Sequence, residues 1–213
     1  MLMDAQQILS LSPVMPVVAL HDAEAAVDLA HALHAGGIGV LEITLRTPSA
    51  LTAIANIRRA LPDVLVGAGT VLDAAQLAAA ADAGAQFAIS PGINPAFAEA
   101  CARAPVPVIP GVATAGEVML ASAHGFGVCK LFPAEAAGGR ALLKAWHAPF
   151  AHMRFCPTGG ISPDNAADYL RLPNVLCVGG SWLTPPDVLA RRDWHTVTAL
   201  ARQAAAWRSE QGG

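Results

Sequence analysis

Lysine is almost absent from this chain: only Lys130 and Lys144 occur among 213 residues. Charged residues make up 14% and aromatic residues 5%, so neither a solvated charge-rich coat nor an aromatic-dense core is available. Thirteen basic residues face 16 acidic ones, for a formal net charge of −3, and no basic stripe forms. Nucleic acid is therefore not an expected partner. Disorder is excluded by the 54% hydrophobic content at so small a net charge. Despite a mean hydropathy of +0.45, no apolar run reaches the roughly 18 residues of a membrane-spanning helix. The first Lys or Arg is Arg46, so the basic region of a signal peptide is not expected. Cys101, Cys129, Cys156 and Cys177 form no CxxC pair, and three of them sit in apolar runs where buried free thiols are common. A reducing cytoplasm is the expected setting. Nucleophile-elbow, Walker and GxGxxG motifs are all missing, and no histidines are spaced as zinc ligands beside carboxylates. His31 and His34 share a helix face and read as a solvated pair. Neither a cofactor nor a metal is expected.

High hydropathy with few charges has a soluble explanation. Parallel strands covered on both faces read as continuous apolar runs. Eight occur, at residues 14–20, 40–45, 64–68, 86–90, 106–110, 128–132, 153–157 and 175–179. Between and after them lie alanine-rich stretches of helical periodicity at 23–35, 48–60, 73–83, 95–104, 115–123, 139–147, 163–172 and 187–207. Asp22, Asp73, Thr114 and Ser162 suit helix N-caps, and Pro48, Pro95 and Pro163 suit first turns. Pro91, Pro110, Pro133 and Pro157 recur at spacings of about one βα unit and should end strands. Eightfold βα alternation argues for a single-domain (β/α)8 barrel over residues 1–213, with a short N-terminal helix covering its bottom. An open doubly wound sheet is the competitor.

Barrel chemistry gathers at the C-terminal ends of strands, so polar residues interrupting the apolar runs are informative. Lys130 does so within Gly127-Val-Cys-Lys-Leu-Phe-Pro-Ala, whereas Lys144 lies in a helical stretch. A buried ammonium is costly unless paired or neutralised. A neutral amine attacks carbonyls, so Lys130 is either a Schiff-base nucleophile or one half of a structural ion pair. In Leu41-Glu-Ile-Thr-Leu-Arg, period-2 alternation sends Glu42, Thr44 and Arg46 to one face. Glu42 could pair with Lys130 or carry protons, and Arg46 could clamp a carboxylate. The bland alternative is a buried salt bridge. Glycine pairs follow the seventh and eighth runs, in Pro157-Thr-Gly-Gly-Ile-Ser and Val178-Gly-Gly-Ser-Trp, where barrels often bind phosphate through bare backbone N–H groups. Ser181 adds a hydroxyl.

These residues carry a resemblance. Val40-Leu-Glu-Ile-Thr-Leu-Arg-Thr, Val66-Gly-Ala-Gly-Thr-Val-Leu, Gly84-Ala-Gln-Phe-Ala-Ile-Ser-Pro-Gly, Lys130-Leu-Phe-Pro-Ala-Glu, Arg154-Phe-Cys-Pro-Thr-Gly-Gly-Ile-Ser-Pro and Cys177-Val-Gly-Gly-Ser-Trp-Leu stand in order over residues 40–183. The chain thus resembles the 2-keto-3-deoxy-6-phosphogluconate (KDPG) and 4-hydroxy-2-oxoglutarate (KHG) aldolases. The resemblance implies a class I aldolase on a (β/α)8 barrel, a homotrimer, that releases pyruvate and glyceraldehyde 3-phosphate from a phosphorylated keto acid. It places the Schiff-base lysine on Lys130 and the acid/base on Glu42. It also places carboxylate contacts on Arg46 and Thr70, pocket walls on Pro91 and Phe132, and a substrate contact on Thr158. Its phosphate site falls on Gly159, Gly160, Gly180 and Ser181. The departures, a short N-terminus, few lysines and Val128-Cys129 before the lysine, touch no functional position. An aldolase for the 6-phosphogalactonate epimer, a phosphosugar isomerase or epimerase, and a non-catalytic phosphate-binding barrel are the other readings. Trp146, Trp182, Trp194 and Trp207 are candidates for subunit-interface anchors.

Overall fold

The computed structural model describes residues 3–207. Its strands are β1 (Val14–Val18), β2 (Val40–Thr44), β3 (Leu65–Gly69), β4 (Ala88–Ile89), β5 (Val108–Ile109), β6 (Gly111–Val112), β7 (Val128–Leu131), β8 (Arg154–Pro157) and β9 (Val178–Gly180). Strands β5 and β6 are two halves of one barrel strand, split at Pro110, which has no N–H to give to a ladder. All pairings are parallel. They run β5-β4-β3-β2-β1-β9 on one side and β6-β7-β8 on the other. Bridges from Phe155 to Val175 and from Thr158 to Gly179 join β8 to the last strand and close the ring. The result is the expected (β/α)8 barrel.

Each strand's two faces have separate jobs. Val14, Val18, Leu41, Ile43, Val66, Ala68, Leu131, Phe155 and Val178 point outward into one large core shared with the helices. Met15, Val40, Phe87, Ile89, Ile109, Val128, Cys156 and Cys177 point inward and fill the barrel, as period-2 alternation requires. Helix α1 (Ala5–Leu9) adds Ile8 and Leu9 to that inner cluster at the N-terminal end. It opens on a capping box, with Asp4 and Gln7 each accepting the other's backbone N–H. Gly67 makes room for the Phe87 ring; a Cβ there would lie 2.3 Å from it.

The outer helices are α2 (Ala26–Ala35), α3 (Ala50–Ala60), α4 (Ala74–Asp82), α5 (Pro95–Ala102), α6 (Ala115–Ala123), α7 (Gly139–His147), α8 (Pro163–Leu170), α9 (Pro186–Ala190) and α10 (Trp194–Ala206). Asp73, Thr114 and Ser162 cap α4, α6 and α8 as expected. Three expectations fail. Asp22 caps nothing, because α2 starts later with Ala25 at its cap position; Asp22 instead accepts the Glu24 N–H and pairs with Arg192. Pro48 precedes α3, whose first residue is Ala50. The single helix expected over 187–207 is two. Arg192 turns left-handed at φ +52, and Asp193 binds both the N–H and the hydroxyl of Thr196, starting α10 afresh.

Trp146 is not a subunit anchor. It is 5% exposed and packs edge-on against Phe150 and beside Phe155 in this chain's own core. Trp182 and Trp207 pack against each other with their rings tilted by 44° and their centres 6.2 Å apart. Because Phe87 fills the barrel floor, Phe87→Ala is expected to cost about 3–5 kcal/mol of unfolding free energy, read by urea denaturation. A loss below about 1 kcal/mol would mean that the floor is not close-packed.

Candidate active site

Lys130 sits on β7, flanked in register by Gly111 of β6 and Cys156 of β8. Across the barrel, Glu42 sits on β2 between Val17 of β1 and Gly67 of β3. Their side chains meet inside. Lys130 Nζ is 3.5 Å from Glu42 Oε1, with side-chain exposures of 7% and 1%. The ammonium also lies 5.2 Å from the centre of the Phe132 ring, within range of its negative face. Gly69 explains how Glu42 fits. A Cβ at position 69 would fall 1.8 Å from Glu42 Oε1, so only a glycine leaves space for the carboxylate.

The cavity above this pair has a volume of about 290 Å³. Arg46, Thr70, Pro91, Lys130, Phe132, Thr158, Gly159, Gly160, Gly180 and Ser181 line it, so every residue anticipated from the sequence except Glu42 faces one space. Glu42 lies behind Lys130 and reaches the cavity through it. Arg46 stands just beyond the end of β2. Thr44 holds it there, accepting from Arg46 Nε at 3.1 Å while donating to the Val18 carbonyl at 2.9 Å. With Nε engaged, the two terminal nitrogens remain for a carboxylate. Thr70 sits at φ +59, a left-handed conformation that is uncommon for a β-branched residue. Such local strain persists where surrounding structure enforces it, most often at functional sites.

At the opposite wall, Gly159 and Gly160 turn left-handed at φ +97 and +79. The backbone N–H groups of Gly160 and Ile161 make no hydrogen bond among the described residues, while Gly159 follows the Thr158–Gly179 bridge and directs its N–H toward the last strand. The two unengaged groups form a concave set of donors beside the cavity, suited to an anion. The cavity therefore offers three chemistries: an amine beside a carboxylate at the base, a guanidinium at one wall, and bare amides at the other.

Several neighbouring features do not share this chemistry. A hollow of about 630 Å³ opens at the far end of the barrel, between α1, α5 and the start of β7. Another, of about 460 Å³, adjoins the site through Val17, Arg46 and Ser181, but its Arg192 is already paired with Asp22. Among the described residues no three His, Cys, Asp or Glu side chains converge as metal ligands. His31 and His34 are exposed on α2. All four cysteines are free and buried. Burial pushes the thiol of Cys101 up to about 11 and that of Cys129 up to about 12, which leaves both unreactive at neutral pH.

Sequence reasoning overlooked Gly69, Val17, Ile161 and Gly179 as parts of the site. The signal for Gly69 was present: glycines at 67 and 69 fall on one face of a strand, and both make room for large inward side chains.

The family model described as KDPG and KHG aldolase matches residues 5–200. The chain belongs to the KDPG and KHG aldolase family. It is 51% identical over 200 residues to the KHG/KDPG aldolase of Escherichia coli (strain K12), covering 94% of each protein. Among solved structures, it is similar to a KDPG aldolase from Legionella pneumophila with pyruvate captured at low pH as a covalent carbinolamine intermediate. The TM-score is 0.92 at 44% identity, over 94% of this chain and 97% of that one. It is similarly close to the KDPG aldolase of Zymomonas mobilis ZM4 with 3-phosphoglycerate, with a TM-score of 0.91 at 44% identity over 97% of both chains. For this aldolase-family chain, the fit of Glu42 against Gly69 gives a sharp test. Gly69→Ala is expected to lower kcat at least about tenfold, a loss of about 1.4 kcal/mol in the transition state, while the far-UV circular dichroism stays unchanged. Wild-type kcat in that variant would show that the carboxylate's position is not constrained by residue 69.

Proposed function

We propose that this chain is a class I aldolase that cleaves KDPG to pyruvate and glyceraldehyde 3-phosphate and also acts on KHG. The observation that carries the proposal is the buried Lys130–Glu42 pair at the base of a cavity lined by Arg46 on one side and the glycine turn on the other. Membership in the aldolase family and the covalent pyruvate adduct of the Legionella pneumophila relative support it. An isomerase or epimerase has less support, because among the described residues only one carboxylate, Glu42, lies buried in the barrel beside the cavity. A non-catalytic binding barrel leaves the cost of burying Lys130 without a purpose.

The proposed mechanism follows from the geometry. Lys130 must lose a proton before its amine can attack, and Glu42 is the base within reach. The amine adds to the substrate's C2 carbonyl, giving a carbinolamine. Loss of water, with Glu42 supplying the proton, leaves an iminium. Arg46 and Thr70 hold the C1 carboxylate, and this fixes C2 over the lysine. Glu42, acting through water, takes the proton of the C4 hydroxyl. The C3–C4 bond then breaks and its electrons flow into the iminium, forming an enamine. Glyceraldehyde 3-phosphate leaves, C3 is protonated, and water releases pyruvate and regenerates the amine. The phosphate meets the amides of the 159–161 turn, together with Gly180 and Ser181, a position that leaves it remote from the reacting atoms. Pro91, Phe132 and Thr158 wall the space between.

The iminium serves as the electron sink, so the chemistry proposed here uses no metal. We further propose a homotrimer in the cytoplasm. The family resemblance supports the trimer, and the buried free thiols suit a reducing compartment. No helix among the described residues is long and apolar enough to cross a membrane.

Two outcomes are expected. Borohydride with pyruvate should add covalent mass at Lys130 in the wild type and in Lys144→Ala, and nothing in Lys130→Met; an adduct on Lys144, or none at all, would overturn the lysine assignment. Cleavage of KDPG should survive EDTA and exceed cleavage of its C4 epimer. A loss restored by zinc or magnesium would point to a metal-dependent mechanism, and a preference for the epimer would reassign the substrate to the 6-phosphogalactonate series.

A further inference from the structure

The turn joining β8 to α8 separates its carbonyls from its amides. The Thr158 carbonyl accepts the Ala134 N–H at 2.8 Å, and the Gly159 carbonyl accepts the Glu135 N–H at 3.1 Å. The Gly160 carbonyl accepts Asn165 Nδ2 at 3.0 Å. All three carbonyls are thus tied back to the protein, while the N–H groups of Gly160 and Ile161, both lining the cavity, stay unengaged among the described residues. Two glycines in left-handed conformation would not hold such an arrangement unaided, because glycine has the widest choice of backbone states.

Side chains outside the cavity provide the restraint. Asn165 grips the turn with both ends of its amide, donating to the Gly160 carbonyl and accepting the Ser162 N–H at 3.0 Å. On the other side, the stem of Glu135 lies against Gly160; a Cβ at 160 would be 2.6 Å from Glu135 Cγ. The Glu135 carboxylate accepts a close hydrogen bond from the hydroxyl of Tyr169, which is fully buried. Gly139 admits that hydroxyl, since a Cβ there would fall 2.7 Å from it. The tyrosine hydroxyl stays protonated, because burial first and then the neighbouring Glu135 carboxylate raise its pKa above the ordinary value. This bond also fixes a negative charge that would otherwise be free to swing toward an anion-binding turn. None of the three residues lines the cavity.

We infer that Asn165 and the Glu135–Tyr169 pair are positioning residues that hold the amides of the 159–161 turn in register for a phosphomonoester, so that they set the preference for phosphorylated over unphosphorylated substrate without touching either. The inference rests on the proposal that the substrate's phosphate binds this turn.

Steady-state kinetics on KDPG and on KHG test it, together with inhibition by inorganic phosphate and borohydride trapping with pyruvate. In Asn165→Ala and Tyr169→Phe, KM for KDPG and the inhibition constant of inorganic phosphate are expected to rise at least about tenfold, as for a misplaced charge-assisted hydrogen bond. The kinetic constants for KHG should change by less than about twofold, and trapping should persist. Asn165→Asp keeps the acceptor for the Ser162 N–H but loses the donor to Gly160. It should retain the wild-type Tm and still show the raised KM, which separates positioning from helix capping. Equal losses on both substrates, or an unchanged phosphate constant in all three variants, would overturn the inference. If the wild type is itself indifferent to inorganic phosphate and to phosphorylation of the substrate, the phosphate site is rejected and the inference falls with it.

Discussion

Two opposite charges lie 3.5 Å apart inside the barrel, almost wholly removed from water. Their attraction at that distance is worth about 5 kcal/mol at an effective dielectric of about 20. Removing each ion from water costs several kcal/mol, so the pair does not stabilise the fold by itself. It persists because the barrel surrounds it. Gly69 leaves space for the Glu42 carboxylate, and the Phe132 ring faces the ammonium. The outward faces of the same strands bury Ile43, Leu41, Leu131 and Cys129 against the helices. That apolar burial offsets the cost, at roughly 25 cal/mol per Å².

The rest of the site follows from how the strands end. Lys130 stands one residue short of the end of β7 and Glu42 two short of the end of β2, so the amine meets substrate where the strands open into loops. Arg46 and Thr70 come from the loops that follow β2 and β3, on one side of the mouth. The glycine turn that follows β8 lies near Pro133 and Ala134 on the other side, and Gly179 of β9 lies beside it against Thr158. In the proposed mechanism a substrate with an anionic group at each end would stretch across the mouth with its carbonyl above the lysine. On that proposal, rigid strands fix the reacting groups and backbone amides serve the remote end, where no bond changes.

Much of this was legible in the sequence because period-2 alternation is so clean. Glu42 and Thr44 break an apolar strand on its inward face, and Lys130 does the same on β7. The eight apolar runs matched the barrel strands, although Pro110 divides one of them. What escaped depended on contacts between distant residues. Nothing local marks Asn165 as a clamp on Gly160, since its spacing from Ser162 reads only as a helix cap. Tyr169 reaches Glu135 across 34 residues. Residue type alone makes Trp146 one of four candidate interface anchors, while its burial depends on Phe150 and Phe155. The break at Arg192 follows from Asp193 capping a new helix in the middle of a helical pattern.

In the proposed mechanism one buried pair supplies both the nucleophile and the proton carrier. Exchange of pyruvate methyl protons in D2O, followed by NMR, tests it most directly, because exchange requires both the lysine adduct and proton transfer at C3. The wild type should exchange the methyl group, Lys130→Met should not, and Glu42→Gln should exchange at least about a hundredfold more slowly, in line with the usual contribution of general acid–base catalysis. Exchange at the wild-type rate in Glu42→Gln would assign the proton to another group.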